Sequence, residues 1–305
     1  MADITVIGGI NVDIEGCPYN ELILEDSNPG DITIAFGGVG RNITENIARL
    51  SGDVALVAVA GVDFVGISAK EDLSGLGVDT TNVALLENQS TAMYLSILND
   101  KNDMEMAICN NDILEQITPE FLKDKLETIK KSSMVVIDCN LKENILAYIT
   151  DELKNVDLFL DPVSLAKAGR ARDIIGRFHT IKPNRMEAEI LCGIPINTEK
   201  DLKIAGQWFL DQGVKRVFIS LSENGVYYKD DKSEGIIKPK NVNLISATGA
   251  GDAFSAAIVL GHIKEWTVEE TAKFGMATAS IALESKTAVN RRINLEEVMR
   301  RMKND

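Results

Sequence analysis

Met134-Val135-Val136-Ile137-Asp138, Val156-Asp157-Leu158-Phe159-Leu160, His179-Thr180-Ile181 and Arg216-Val217-Phe218-Ile219-Ser220 are short apolar runs in the middle of the chain. Each has the length of a buried strand, and helical patterns lie between or after them. These patterns cover Pro119–Lys130, Met186–Cys192, Asp201–Asp211, Ala250–Lys264 and Val268–Glu284. Thr118-Pro119 sets proline in a first helical turn, and Thr267 with Glu270 makes a capping box. The alternation extends to the N-terminus. Ile4–Ile10 and Val54–Ala60 read as strands, Arg41–Ser51 as a helix with Ile43, Ile47 and Leu50 on one face, and Phe64–Leu73 as a further helix. Alternation of this kind predicts an α/β domain with a mainly parallel sheet and helices on both faces. Two regions, about 13–35 and 82–110, break the rhythm with alternating runs such as Thr91–Leu98 and Met104–Cys109. They read as antiparallel strands inserted early into the pattern, forming a small sheet over one edge of a single domain spanning 1–305.

The 305 residues can bury a large core without disulfides or a structural metal. Hydrophobic residues make up 45% and charged residues 26%, which excludes disorder on this scale. A formal charge of -14 argues against a nucleic-acid partner, which wants clustered positive charge. Small anionic substrates remain compatible, because backbone N–H groups and a metal ion can hold them locally. Cys17, Cys109, Cys139 and Cys192 lie far apart, with no CxxC pair, so a reduced, cytoplasmic setting is expected. The opening Met-Ala-Asp lacks a basic n-region, so no signal peptide is expected, and no apolar stretch reaches the ~20 residues of a membrane span. His179 and His262 are the two histidines, neither within a nucleophile pattern.

Thr248-Gly249-Ala250-Gly251-Asp252-Ala253-Phe254 opens a long apolar helix. Small residues there turn successive N–H groups inward, and the helix dipole adds positive potential, together making an anion site. An aspartate would oppose a merely bound phosphate, but it suits a base aimed at a hydroxyl beside a transferring phosphoryl group. The same residues also read as a glycine-rich N-cap with a first-turn acid. Phe36-Gly37-Gly38-Val39-Gly40-Arg41-Asn42 is a second glycine-rich segment before a helix. Ile43 stands where a dinucleotide fingerprint needs glycine, and no P-loop motif occurs. It is either a tight turn or a place where a ligand approaches backbone and Asn42. Asn11-Val12-Asp13 follows the first strand, where open α/β sheets bind ligands, and equally reads as an ordinary turn. In Lys182-Pro183-Asn184-Arg185-Met186-Glu187, Asn184 and Glu187 are one helical turn apart. That spacing suits a hydrated Mg²⁺, or simply a helix cap.

In this order the segments resemble the ribokinase-like (PfkB-type) carbohydrate kinases. That family's signatures are a G-G-x-G-x-N segment and a D-T-x-G-A-G-D segment, with an N-x-x-E motif between them. Here they stand as Gly37–Asn42, Ser246–Asp252 and Asn184–Glu187. The likeness runs from Ile4 to Glu284, and within the family it leans to the pseudouridine-kinase branch. Arg41 within the first segment, Asp138-Cys139-Asn140, Asp161-Pro162-Val163-Ser164 and Ile181–Glu189 carry that leaning. Ser246 replaces the usual leading Asp, which in relatives helps hold a monovalent cation, so potassium activation is in question.

The resemblance implies a three-layer sandwich whose inserted strands form a lid and a homodimer interface. It implies ATP and Mg²⁺ as cofactors, no membrane partner, and phosphorylation of the 5′-hydroxyl of pseudouridine. Asp252 would be the base, with the N–H groups of Gly249, Ala250 and Gly251 stabilising the γ-phosphoryl. Asn11, Asp13, Gly38, Asn42 and Asn140 would face the substrate. Asn184, Ser220, Ser222, Gly225, Gly249, Gly251 and Ser280 would contact ATP, and Asn184 with Glu187 would organise Mg²⁺ through water. Two alternatives stay open: a kinase of this fold for ribose, another sugar or another nucleoside, and a non-catalytic nucleoside-binding or regulatory protein on the same scaffold.

Overall fold

The computed structural model describes residues 2–101, 103–239 and 244–303. Among the described residues, thirteen strands lie in two sheets. In chain order they are β1 (Ile4–Ile7), β2 (Asn11–Pro18), β3 (Gly30–Gly37), β4 (Val54–Gly61), β5 (Val83–Leu86), β6 (Ala92–Leu98) and β7 (Met104–Asn110), then β8 (Met134–Asp138), β9 (Asp157–Asp161), β10 (Thr180–Ile181), β11 (Arg216–Ser220), β12 (Val226–Lys229) and β13 (Glu234–Ile237). The large sheet has the order β13-β12-β11-β10-β9-β8-β1-β4-β5, parallel except for the final hairpins of β11 with β12 and β12 with β13.

Near-continuous apolar strands need cover on both faces, and period-two alternation divides their side chains between two cores. Val6, Leu56, Ala58 and Val136 pack with Ile43, Ile47, Phe254, Ile258 and Phe274, from helices Val39–Arg49, Ala250–Ile263 and Val268–Ala282. Ile7, Val57, Val59, Val135 and Ile137 pack the other way against Leu146, Ile149, Leu191 and Phe209. Leu50 joins Ile43 and Ile47 in the core, as the helical spacing predicts. Helices Ala250–Ile263 and Val268–Ala282 approach closely at Gly275, where an added Cβ would lie 2.6 Å from the Phe254 ring.

The small sheet has the order β3-β2-β6-β7. Two sequence expectations need correction here. Val83–Leu86 belongs to the large sheet, pairing parallel with β4 from Ala58↔Val83, so the second insertion begins at Ala92 rather than near 82. Nor is the small sheet wholly antiparallel: β2 and β6 run parallel from Asn11↔Ala92. The chain between them passes through β3, β4 and β5 with their helices, and a crossover of that length lets the strand return in the same direction. The 119–130 segment also divides into two short helices, Pro119–Lys123 and Leu126–Ile129.

Register gives the small sheet two faces. Ile34, Ile14, Leu95 and Ile108 lie in one cross-strand row, and Ile32, Gly16, Ile97 and Met106 in the next. The opposite face carries Asp13, Glu15, Thr33, Tyr94 and Ser96.

Candidate active site

The carboxyl ends of the parallel strands gather the polar groups of the site, as the architecture favours. Asp138 ends β8 and Asp161 ends β9, and the two are register partners. Lys182 follows β10, and its ammonium sits 3.2 Å from Asp161 Oδ2. Asp161 Oδ2 also accepts from Ser255 Oγ at 2.8 Å, and its Oδ1 from the Val163 N–H at 2.9 Å. Lys182 Nζ donates to the Gly251 carbonyl at 3.4 Å, which links the pair to the start of helix Ala250–Ile263.

Gly249 caps that helix with φ 79°. This left-handed backbone suits glycine, and a Cβ there would collide with the Ala288 carbonyl. The first N–H groups of the helix have no intrahelical acceptor, so the loop presents donors. Asp252 lies in the first turn, and its Oδ2 accepts from Asn42 Nδ2 at 2.8 Å. Two motifs 210 residues apart thus meet in one hydrogen bond. Burial, reinforced by Asp161 and Asp138, pushes the Asp252 carboxyl up to about 7, although Asn42 and Lys182 favour its ionised form.

Asp138 is pushed up to about 6, chiefly by burial, against N–H donation from Asn140 at 2.9 Å and Gly9 at 3.4 Å. Glu187 is raised by burial as well. Lys182 is held above the ordinary lysine range despite burial, because Asp161, Asp252 and Glu187 surround it.

Asn42 is carried by helix Val39–Arg49, whose N-cap Gly38 has φ 98°. A Cβ on Gly38 would strike the Gly9 carbonyl, and Arg41 N–H donates to that same carbonyl at 3.1 Å. The backbone is therefore pinned to the loop after β1. The Arg41 guanidinium is engaged within the protein: it pairs with Glu45 at 2.7 Å and Asp72 at 2.6 Å and stacks over Phe36. Asn11 Nδ2 donates to Asp13 Oδ1 at 3.1 Å at the base of the small sheet. Asp13 is raised by burial and held back by that bond. Among the described residues, Asn11 Oδ1 and Asn42 Oδ1 are buried acceptors without a protein partner. Asn140 joins the group through Asp138, while its Oδ1 accepts from Lys167 Nζ at 2.6 Å.

A groove of about 760 Å³ lies beside the cluster, with Asn184, Ser220, Leu221, Ser222, Asn224 and Ile236 among its lining. Asn184 and Glu187 form the capping box in full: Asn184 Oδ1 accepts from the Glu187 N–H at 2.9 Å, and Glu187 Oε2 from the Asn184 N–H at 2.8 Å. Oε1 of Glu187 stays outside the cap. With Asp138, Asp161 and Asp252 nearby and one ammonium among them, this oxygen-rich donor set fits a hard divalent cation.

Not every expected residue converges. Gly225 ends the turn after Ser222 with φ 96° and is outside the groove lining. Ser280 also lies outside it: its hydroxyl donates to the Ala277 carbonyl and accepts from Arg301. Conversely, Asp138, Asp161 and Lys182 had no assigned role from sequence. The available signal was a charged residue at the carboxyl end of each of three successive strands.

The profile of the pfkB family carbohydrate kinases matches residues 1–293. The chain is 35% identical to pseudouridine kinase of Escherichia coli (strain K12), over 99% of this chain and 96% of that protein. A candidate sugar kinase from Clostridium perfringens superposes with a TM-score of 0.92 at 34% identity, covering 100% and 96% of the two chains. Arabidopsis thaliana ribokinase, solved with ribose and ATP, has a TM-score of 0.89 at 21% identity, with 99% of each chain covered, a likeness of fold. With the whole fold, both glycine-rich segments and the family profile in agreement, this chain belongs to the PfkB family of carbohydrate kinases.

Proposed function

We propose that this kinase transfers the γ-phosphoryl group of ATP to the 5′-hydroxyl of pseudouridine in the cytoplasm. The observation that carries the chemistry is Asp252 in the first turn of the Gly249-capped helix, bonded to Asn42. The 35% identity to a pseudouridine kinase supports the acceptor. Among the described residues no helix is long and apolar enough to cross a membrane.

Asp252 accepts the hydroxyl proton as the oxygen attacks the γ-phosphorus; a P–O bond forms, the bond to the ADP oxygen breaks, and ADP leaves. Asn42 holds Asp252 Oδ2, leaving Oδ1 for the hydroxyl. The N–H groups of Gly249, Ala250 and Gly251 face the charge on the transferring group, where one such donor is worth about 3–4 kcal/mol. Lys182 fixes this loop through the Gly251 carbonyl. Asn11 Oδ1 and Asn42 Oδ1 supply acceptors for ribose hydroxyls, with Asp13, Gly38 and Asn140 around them. ATP occupies the groove lined by Asn184, Ser220 and Ser222, near Gly225. Mg²⁺, when bound, neutralises charge on the phosphates; Asn184 and Glu187 would hold it through water.

Closure of the small sheet over the substrate excludes water from the γ-phosphate. Its apolar face, with Ile32, Ile34, Met106 and Ile108 at least half exposed, supports a homodimer through this lid. Sedimentation should give twice the 33.3 kDa chain mass, and Ile34→Glu should return it to one; a native monomer would refute the dimer.

ADP release with MgATP across pseudouridine, uridine, guanosine and ribose tests the acceptor. Pseudouridine should lead in kcat/KM by roughly tenfold or more, whereas ribose or guanosine in front would move the assignment within the family. The pH profile tests the base. Asp252 must be ionised to accept a proton, and its carboxyl stands at about 7. Thus kcat/KM should rise with pH to a plateau above about 7 and fall by about tenfold per unit well below it. A flat profile between pH 5.5 and 8 would count against the assignment.

A further inference from the structure

The chain's two histidines meet at the opposite ends of the strands from the site just described. Asp157 is the first residue of β9, His179 directly precedes β10, and His262 lies in the last turn of helix Ala250–Ile263. The imidazole rings stand edge to face at 4.8 Å between centroids. His262 Nε2 lies 3.3 Å from Asp157 Oδ2 and His179 Nε2 lies 3.8 Å from it. One ligand atom from each residue falls within 4.8 Å of the others. Tetrahedral zinc with bonds near 2.1 Å separates its ligand atoms by ~3.4 Å, so two of these separations already have that size.

We propose that Asp157, His179 and His262 form a binding site for a transition-metal dication of the zinc type, with water completing the coordination. Imidazole nitrogen with a carboxylate suits Zn²⁺ far better than Mg²⁺. His179 Nδ1 is bonded to Thr180 Oγ1 at 2.8 Å, and with the ring donating there Nε2 presents its lone pair towards Asp157. Burial disfavours the charged form of both imidazoles. Asp157 is half exposed and gives the ion a route from solvent. The helix C-terminus and Glu265 favour a cation here. Lys215 and Arg216 oppose it, and Arg216 is partly engaged at the Trp266 carbonyl, 2.7 Å away. The site stands at the far end of helix Ala250–Ile263, ~20 Å along its axis from the Gly249 cap at the usual helical rise.

The experiment is titration of the EDTA-treated, dialysed protein with ZnCl₂, followed by calorimetry and by Tm, with CoCl₂ as a spectroscopic probe. The expected result is saturation at one Zn²⁺ per chain with a rise in Tm. Asp157→Asn and His262→Gln should each lose both effects while keeping the zinc-free kinase rate. Thr180→Val should weaken binding by about 10–100-fold. The Co²⁺ complex should show visible bands without thiolate charge transfer. Absence of zinc binding, binding unchanged in Asp157→Asn, or a thiolate band pointing to a cysteine would overturn the proposal; Asp157 is exposed enough that its variant folds even if His262→Gln does not.

Discussion

The site depends on one ammonium group held among carboxylates. Lys182 is 7% exposed and lies against Asp161, with Asp252 and Glu187 close enough to raise its affinity for a proton. A cation so deep is tolerable only because the pairing is close and its partner is hydrogen-bonded again, by Ser255 and the Val163 N–H. Stripping one partner from such a buried pair costs about 3–5 kcal/mol, because the other charge is left uncompensated. The Gly251 contact turns this pairing into position: the same ammonium that neutralises the strand ends also fixes the loop that presents N–H donors. The acids in excess of that single lysine create a field that a divalent cation would relieve and that adds to burial in pushing the Asp252 carboxyl upward.

The fold supplies this arrangement by bringing remote segments together. Parallel strands direct every carboxyl end to one edge, so Asp138, Asp161 and Lys182 converge without any loop between them having to be long. Helices Val39–Arg49 and Ala250–Ile263 pack side by side in one core, which brings Asn42 to Asp252. The small sheet then divides its labour by face: Asp13 and its polar neighbours on one side, a band of isoleucine, leucine and methionine on the other.

Much of this was legible in the chain. Strands β8 to β11 follow directly from short apolar runs, and the glycine-rich segments carry backbone geometry that favours glycine, at Gly38 and Gly249, whereas the hairpin of β12 with β13 and the helices Glu143–Glu152 and Leu295–Lys303 stand outside those readings. Pairing partners were not legible. Val83–Leu86 looks like any lid strand until its parallel register with β4 is known, and nothing local says that β2 and β6 run in the same direction. Arg41, at a helix start behind glycines, is claimed by Glu45 and Asp72; Asp72 lies on another helix, so that partnership is tertiary. Lys182 escaped for a similar reason, since its significance rests on the neighbouring strand's Asp161.

The most direct test of the account is single-turnover rapid quench with ATP, Mg²⁺ and pseudouridine, comparing the native chain with Asp252→Asn. The substitution keeps the shape of the side chain and removes its ability to take a proton. The account predicts phosphoryl transfer slowed by about 10²–10⁴-fold, with ATP affinity by calorimetry essentially unchanged. Transfer at close to the native rate would contradict it, because the proton would then have another destination and the buried acids around Lys182 would be an electrostatic scaffold only.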